Sequence, residues 1–283
     1  MSYIKPIDKH HFTALLAISA FVENSKGQGI TYQNLPVNSF DEASMNYSTT
    51  ADYRDGYGWE SADHKVSSLF GRLTYNFDEK YLFTGIVRRD GSSRFGSNNK
   101  YGIFPSASAG WVVSREDFWK SNRTINFLKI RGSYGVTGND NIGDFIYLST
   151  IGGGRNYTFG YDDYTIGYSP NAPSNPDLKW EQTSQLDIGF ETTLFDYFTL
   201  VFDYYSKNTT GMLRPIILPS FIGVAGSPTG NVASMTNKGV ELELGFHKKI
   251  SEVDFRFNGN VSYLKNEITD LGTVDYTTGA GFQ

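Results

Sequence analysis

Five stretches of this chain alternate apolar and polar residues with a period of two, the pattern of a strand that shows one face to an apolar medium and the other to a polar one. Between Ser68 and Asp78, the residues Leu69, Gly71, Leu73, Tyr75 and Phe77 fall on one face and Ser68, Arg72, Thr74, Asn76 and Asp78 on the other. Phe70 alone breaks the rule. Leu128, Ile130, Gly132, Tyr134 and Val136 alternate with Lys129, Arg131, Ser133 and Thr137. Leu186, Ile188 and Phe190 alternate with Gln185, Asp187 and Glu191, and Val240, Leu242, Leu244 and Phe246 with Glu241, Glu243 and His247. Phe255, Phe257, Val261 and Tyr263 then alternate with Asp254, Arg256, Asn258, Asn260 and Ser262.

Extending the reading along the chain predicts about nine strands, near 11–23, 66–77, 81–90, 104–115, 127–137, 180–194, 198–209, 237–249 and 254–266. Each is close to the roughly ten residues with which a tilted strand crosses a bilayer. Their connections alternate in length. Asp78–Lys80, Glu116–Asn126, Phe195–Tyr197 and Ile250–Val253 are short, whereas Asn24–Lys65, Gly91–Ile103, Gly138–Lys179 and Thr210–Thr236 are long. Short turns at one end and long loops at the other are what an outer-membrane barrel shows, on the periplasmic and extracellular sides respectively. Aromatic residues gather at the short turns (Tyr75, Phe77, Tyr81 and Phe83; Phe118 and Trp119; Phe195, Tyr197 and Phe198), where they would form an interfacial girdle.

Composition agrees with an all-β chain. Its 283 residues include 19 Tyr, 21 Phe and 30 Gly but only 4 Met, which favours strands and turns over helices. The longest nearly apolar run, Ala14 to Val22, is about half of what a spanning helix needs, so no transmembrane helix is expected. Lys5, Lys9 and the run from Phe12 to Phe21 loosely imitate a signal peptide, but Phe12, Ala14, Leu16, Ile18, Ala20 and Val22 share one strand face, and a strand is the preferred reading. A net charge of −5 with scattered cations gives no footprint for nucleic acid. The chain has no Cys, which excludes disulfides and thiolate metal sites.

Catalytic chemistry is not expected. The four histidines, His10, His11, His64 and His247, sit in no metal-binding motif, and Asn139-Asp140-Asn141 with Gly143 and Asp144 lacks the spacing of a calcium loop and reads as a polar turn. The sequence holds no nucleophile elbow, phosphate-binding loop or dinucleotide fingerprint, and no cofactor is expected.

Several blocks between Ser67 and Leu271 resemble the SusC/RagA family of TonB-dependent receptors. They are Gly71-Arg72-Leu73-Thr74-Tyr75, Asp78-Glu79-Lys80-Tyr81-Leu82, Arg88-Arg89-Asp90-Gly91-Ser92-Ser93-Arg94-Phe95-Gly96, Phe104-Pro105-Ser106 and Gly110-Trp111. Further on come Leu128 to Gly135 with Gly138-Asn139, Asn175 to Glu181, Asp203 to Lys207, and Asn237 to Glu241. Their order and spacing carry the resemblance more than any single block. It implies an antiparallel transmembrane β-barrel that imports oligosaccharides or peptides, is energised by the TonB-ExbB-ExbD system and is capped by a SusD-like surface lipoprotein. Residues 1–283 are expected to be barrel wall only: the plug domain and signal peptide of that pattern are expected to be absent, and so are the final strands, since about nine strands stand where such transporters close with about 22.

Candidate contacts follow from these faces and loops. Arg94, Asn139, Tyr157, Tyr161 and Tyr164 are loop candidates for substrate or a lid partner, with Phe159 beside them. Arg88, Arg89 and Arg94 near Asp90 are expected to brace their loop, and Trp180 with Glu181 to form an interface anchor with a lumenal or rim carboxylate. Arg72, Arg131, Asp187, Glu191 and Glu241, with Lys129 and Arg256, are expected to face the lumen, and Leu73, Leu186 and Leu242 the lipid. The competing readings are a stand-alone porin or adhesin-type barrel and a soluble β-rich glycan-binding domain.

Overall fold

The computed structural model describes residues 2–32, 36–42, 44, 54–119, 124–160, 164–216, 218, 221 and 224–272. Its strands are β1 (Ser2–Ile7), β2 (His10–Glu23), β3 (Lys26–Tyr32), β4 (Arg54–Glu60), β5 (His64–Phe77), β6 (Tyr81–Ser92), β7 (Tyr101–Val112), β8 (Ile125–Asn139), β9 (Ile151–Gly152), β10 (Tyr157–Thr158), β11 (Tyr164–Thr165), β12 (Ser169–Pro170), β13 (Glu181–Leu194), β14 (Phe198–Pro215), β15 (Thr229–Ile250) and β16 (Val253–Asp270). Ten of them form one sheet in the order β1-β2-β5-β6-β7-β8-β13-β14-β15-β16, with antiparallel pairing between β1 and β2 and between each pair of neighbours from β5 to β16. The sheet is open, with β1 and β16 as its edges among the described residues. Two compact units divide the chain: Met1–Ala20 with Val66–Gln283, and Phe21–Lys65.

All nine strands expected from alternation are present, and the wall strands from β2 to β16 run 12 to 22 residues, enough to cross a bilayer at a tilt. β1 was not anticipated. It pairs with β2 from Ser2↔Leu15 to Ile7↔His10, a stretch that includes Pro6, which has no N–H to donate to a ladder. The long connection after β14 is shorter than expected, because β14 and β15 run on past register shifts between Thr209 and Leu213 to Pro215 and Thr229. The connection from β2 to β5 holds the β3–β4 hairpin, and that from β8 to β13 holds two minimal ribbons, β9–β12 and β10–β11.

The short turns explain the sharp reversals. Asp78 and Glu79 have φ of 51° and 53°, Phe195 and Asp196 have 55° and 66°, and the turns close by Lys80 N–H donating to Phe77 O (2.9 Å) and Tyr197 N–H to Leu194 O (3.2 Å). Two consecutive left-handed residues make a type I′ turn, whose twist matches that of the strands it joins. Around these turns the aromatic residues pack on one another: Phe12 on Tyr75 (4.7 Å between centroids), Phe77 on Tyr81 (6.2 Å), and Phe198 on both Tyr197 (5.0 Å) and Phe246 (4.9 Å). Glu116, beyond the end of β7, accepts hydrogen bonds from the Tyr81 hydroxyl (2.7 Å) and the Trp111 indole (3.0 Å). Those bonds hold its carboxyl below the ordinary carboxylate range, with Lys80 adding to the effect.

Register fixes which side chains share a face. Leu69, Leu73, Phe83, Val87, Ile130, Tyr134, Ile188, Leu244 and Phe257 fall on one side, and all are exposed. An apolar sheet face left open to its surroundings is what a lipid-facing wall presents and what a soluble sandwich would bury. Phe70, the exception to the alternation, lies on the opposite face beneath Arg88, whose guanidinium carbon is 5.7 Å from the ring centre.

A compact apolar core occurs at the long-loop end. Phe95, Phe104, Leu178 and Trp180 are buried together, flanked by Val136, Ile142, Ile146, Tyr147 and Leu213. Loop residues thus cap that end of the sheet, and Ser68, Asp90 and Ser92, polar residues of β5 and β6, are buried there.

Candidate functional site

The polar face carries a charge network that spans three strands. Arg131 of β8 contacts Asp187 (3.4 Å) and Glu191 (3.0 Å) of β13 and Asp203 of β14 (2.7 Å), while Lys129 meets Glu191 at 3.4 Å. Two cations face three carboxylates, so the cluster keeps one net negative charge. Glu241 lies directly opposite Asp203 on β15, and Glu243 opposite Val201, so the electronegative surface continues across the next strand.

Gly189 makes the long reach possible. It is the register partner of Arg131 on one side and of Asp203 on the other, so the bridge between them passes over its Cα. A methyl group there would collide with the Asp203 carboxylate and with the backbone oxygen of Phe202 (2.5 Å). A glycine inside a strand weakens it, and its use here is close approach of the two charged groups.

At the long-loop end, the motif blocks scattered through the sequence meet in one place. Arg88 grips Asp90 (2.6 Å) and Ser68 (3.1 Å); Arg94 reaches Asp144 (3.2 Å) and the Asp140 carbonyl (3.3 Å). Asn99 donates to the Asp177 carbonyl (3.0 Å) and Asn175 to that of Thr229 (2.8 Å). Asn231 bonds the backbone of Lys179 twice, accepting from its N–H (3.0 Å) and donating to its carbonyl (2.7 Å). These contacts tie the loops after β6, β8 and β14 around the Phe95–Trp180 core.

The expected site residues therefore separate into distinct places. Arg131, Asp187 and Glu191 come together, whereas Glu241 sits two strands beyond β13 and Arg72 on β5, across β6 and β7 from Arg131. Arg94 and Asn139 are engaged at the base of the loops; Asn139 accepts from Asn141 N–H (3.0 Å) and donates to Glu181 (3.3 Å), the polar turn expected there. Tyr157 is exposed and packs edge-on against Phe159 at 5.0 Å, and Tyr164 lies in β11. Tyr161 lies outside the described residues.

Trp180 is not the interface anchor expected of it. Only 7% exposed, it packs on Phe95 and Phe104 and points its indole N–H at the Lys100 carbonyl (3.4 Å). The loops that fold over it supply an apolar site that strand position alone does not reveal. Glu181 does stand at the rim, accepting from Asn139 and from Leu213 N–H (3.3 Å). Arg89 departs from the expected brace, since it stacks on Tyr101, 3.8 Å from the ring centre, on the apolar side of the sheet. Asp203, absent from the residues expected to face the lumen, is the third carboxylate of the Arg131 network; the alternation of Asp203 with Phe202 and Tyr204 would have placed it there.

Among the described residues, no group of three or more acidic or histidine side chains is arranged to hold a metal ion. What the geometry defines is one wall of a membrane-spanning β-barrel, apolar on one face and charged on the other, with a structured cap at its long-loop end. The β-barrel of TonB-dependent receptor-like proteins matches residues 9–282, and the chain belongs to that outer-membrane family. It is 35% identical over 280 residues to TonB-dependent receptor P39 of Formosa agariphila, covering 96% of this chain and 26% of that protein. Against TonB-dependent receptor SusC of Bacteroides thetaiotaomicron it is 34% identical, covering 81% of this chain and 25% of that one. The RagAB peptide importer in its closed-closed state superposes with a TM-score of 0.78 at 29% identity, over 96% of this chain and 29% of that one. The copper transporter OprC, at 14% identity and a TM-score of 0.54, shares the fold. The chain thus spans about a quarter of the length of the curated relatives it matches.

Proposed function

We propose that the chain is part of the barrel wall of an outer-membrane transporter that takes up oligosaccharides or peptides. The observation that carries this reading is the two-faced sheet: an apolar surface for lipid, and opposite it the Arg131 network continued by Glu241, a polar surface suited to a hydrated passage. Arg72, Lys129, Arg131, Asp187, Glu191, Asp203, Glu241 and Arg256 then line the lumen, and residues 1–283 belong to the barrel domain. The edges β1 and β16 pair with further strands of the same barrel, since unpaired strand edges are not tolerated in lipid.

Transport in this reading is conformational and involves no covalent step. TonB-ExbB-ExbD supplies the energy, a SusD-like lipoprotein covers the extracellular mouth, and the capped loops between β8 and β13 give that partner an ordered surface. Likeness to SusC and to the RagAB peptide importer supports this arrangement. A stand-alone porin and a soluble glycan-binding domain are the less favoured readings, the latter because the apolar face stays open.

Uptake by the host tests the proposal. With the gene inactivated, growth on single defined oligosaccharides or short peptides is expected to fail for one of these classes, and loss of TonB to reproduce the defect. Unchanged growth on every substrate, in a host shown to produce the protein, overturns it. A defect that does not depend on TonB points to the passive porin.

A further inference from the structure

Arg89 carries a charge that no carboxylate matches among the described residues. Its neighbours in the same block, Arg88 and Arg94, pair with Asp90 and Asp144, whereas Arg89 is held on the face of Tyr101, 3.8 Å from the ring centre. It stands on the apolar side of the sheet, between its register partners Leu69 of β5 and Ile103 of β7 and two residues beyond Val87, all three of them exposed. Toward the long loops the next row on that side is Ser67, Gly91 and Tyr101. Gly91 has no side chain, and the Tyr101 ring lies across it, 2.5 Å from where a Cβ would stand, with the Ser67 hydroxyl 3.2 Å from the same point. Hydrocarbon thus gives way to hydroxyl groups within one row, and Arg89 sits at that border. Eight positions separate it from Tyr81 at the short turn. At ~3.3 Å per residue and a tilt of about 40° they raise it roughly 20 Å, close to the ~25 Å height of a lipid-facing band.

We propose that Arg89, positioned by Tyr101, binds the phosphate of a membrane lipid headgroup in the leaflet on the long-loop side. Stacking on the ring uses the flat face of the guanidinium and leaves its N–H edge to make paired hydrogen bonds to phosphate oxygens. The Ser67 and Tyr101 hydroxyls border the same place. Below it, Leu69, Val87 and Ile103 give acyl chains a surface, so the surroundings fit an anionic head followed by a hydrocarbon tail. Further strands of the barrel do not fill this role, because β6 lies inside the sheet between β5 and β7, and strands added at β1 or β16 bring no carboxylate beside Arg89. A cation on a lipid-facing surface is costly until it is matched, and at this height the headgroups are what the bilayer offers to match it.

The inference goes beyond uptake and rests only on the assignment of the apolar face to lipid. Native mass spectrometry of the purified full-length protein in a nonionic detergent tests it with three probes: dioleoylphosphatidylglycerol, dioleoylglycerol, which has the same chains and no phosphate, and inorganic phosphate. Wild type is expected to prefer the phosphatidylglycerol. Arg89→Gln is expected to weaken that lipid about fivefold, the scale of one basic side chain at an anionic membrane surface, and to leave dioleoylglycerol unchanged. Tyr101→Leu is expected to lose about threefold through the missing stack. Lys207→Gln, which removes the same charge from an exposed position on the polar face, is expected to match wild type. Unchanged affinity in Arg89→Gln, or an equal loss for both lipids, overturns the inference. So does displacement of the lipid by an equal concentration of inorganic phosphate, which would assign the site to a free anion, or dissociation of a dimer in Arg89→Gln, which would assign it to contact between copies. Should Arg89→Gln fail to fold, seen as lost resistance to unfolding in cold SDS, Tyr101→Leu decides by the same comparison. Wild type that binds neither lipid withdraws the lipid-facing assignment itself, whereas equal binding of the two removes the phosphate site and leaves that assignment standing.

Discussion

The wall and the cap are built from the same chain by opposite means. In the wall, from β2 to β16, apolar side chains such as Ile188, Leu244 and Phe257 stay exposed on one face, and charges such as Arg131 and Asp203 meet on the other. In the cap, Phe95, Phe104, Leu178 and Trp180 close into a dry core like that of a soluble domain, with loop amides and guanidinium groups satisfied around it. The wall relies on its surroundings for the hydrophobic contribution that the cap supplies internally. Loops beyond an apolar band have no lipid to lean on, so any order there has to come from packing among themselves.

Substitutions can separate the two. The largest effect is expected for Trp180→Ala, which empties the centre of the cap and costs about 3–5 kcal/mol of local stability. Native-state proteolysis should then cut the 140–179 loop sooner while the strands stay protected; equal loss in both regions would show that cap and wall unfold as one. Ile188→Arg, on the apolar face in the middle of β13, is expected to cost about 2–4 kcal/mol in a bilayer, whereas Gln185→Arg on the polar face costs little. Folding efficiency into lipid vesicles reads the difference, and parity between the two variants would mean that the faces have been assigned to the wrong media. Gly189→Ala is the subtlest. Its methyl group is expected to force Arg131 and Asp203 apart and cost about 1–3 kcal/mol by crowding, with the sheet still formed; a variant as stable as wild type would show that the bridge tolerates a longer path.

Legibility followed the same division. The wall could be read residue by residue, because a period of two is imposed locally by the strand and each face must match its medium. Even the reversals at Asp78–Lys80 and Phe195–Tyr197 were visible from length, although Asp-Glu and Phe-Asp are not the Asn-Gly pairs that usually announce a type I′ turn. β1 was obscured by Pro6 and by lysines that imitate the head of a signal peptide. The β3–β4 hairpin was hidden inside a connection that reads as loop.

What the sequence determined by itself is the wall: nine strands, their order of short and long connections, the face on which Arg72, Arg131, Asp187, Glu191 and Glu241 lie, and the blocks that mark the family. What only the tertiary structure decided is who meets whom across strands and loops. Trp180 looks like an interfacial anchor until Phe95 and Phe104, 85 and 76 positions earlier in the chain, are seen closing over it. Asp203 looks like one more polar residue until Gly189 lets Arg131 reach it. Alternation is a property of neighbouring residues and one interface, so it is written locally; burial in the cap and charge pairing on the polar face depend on register and loop closure, which no local stretch of sequence contains.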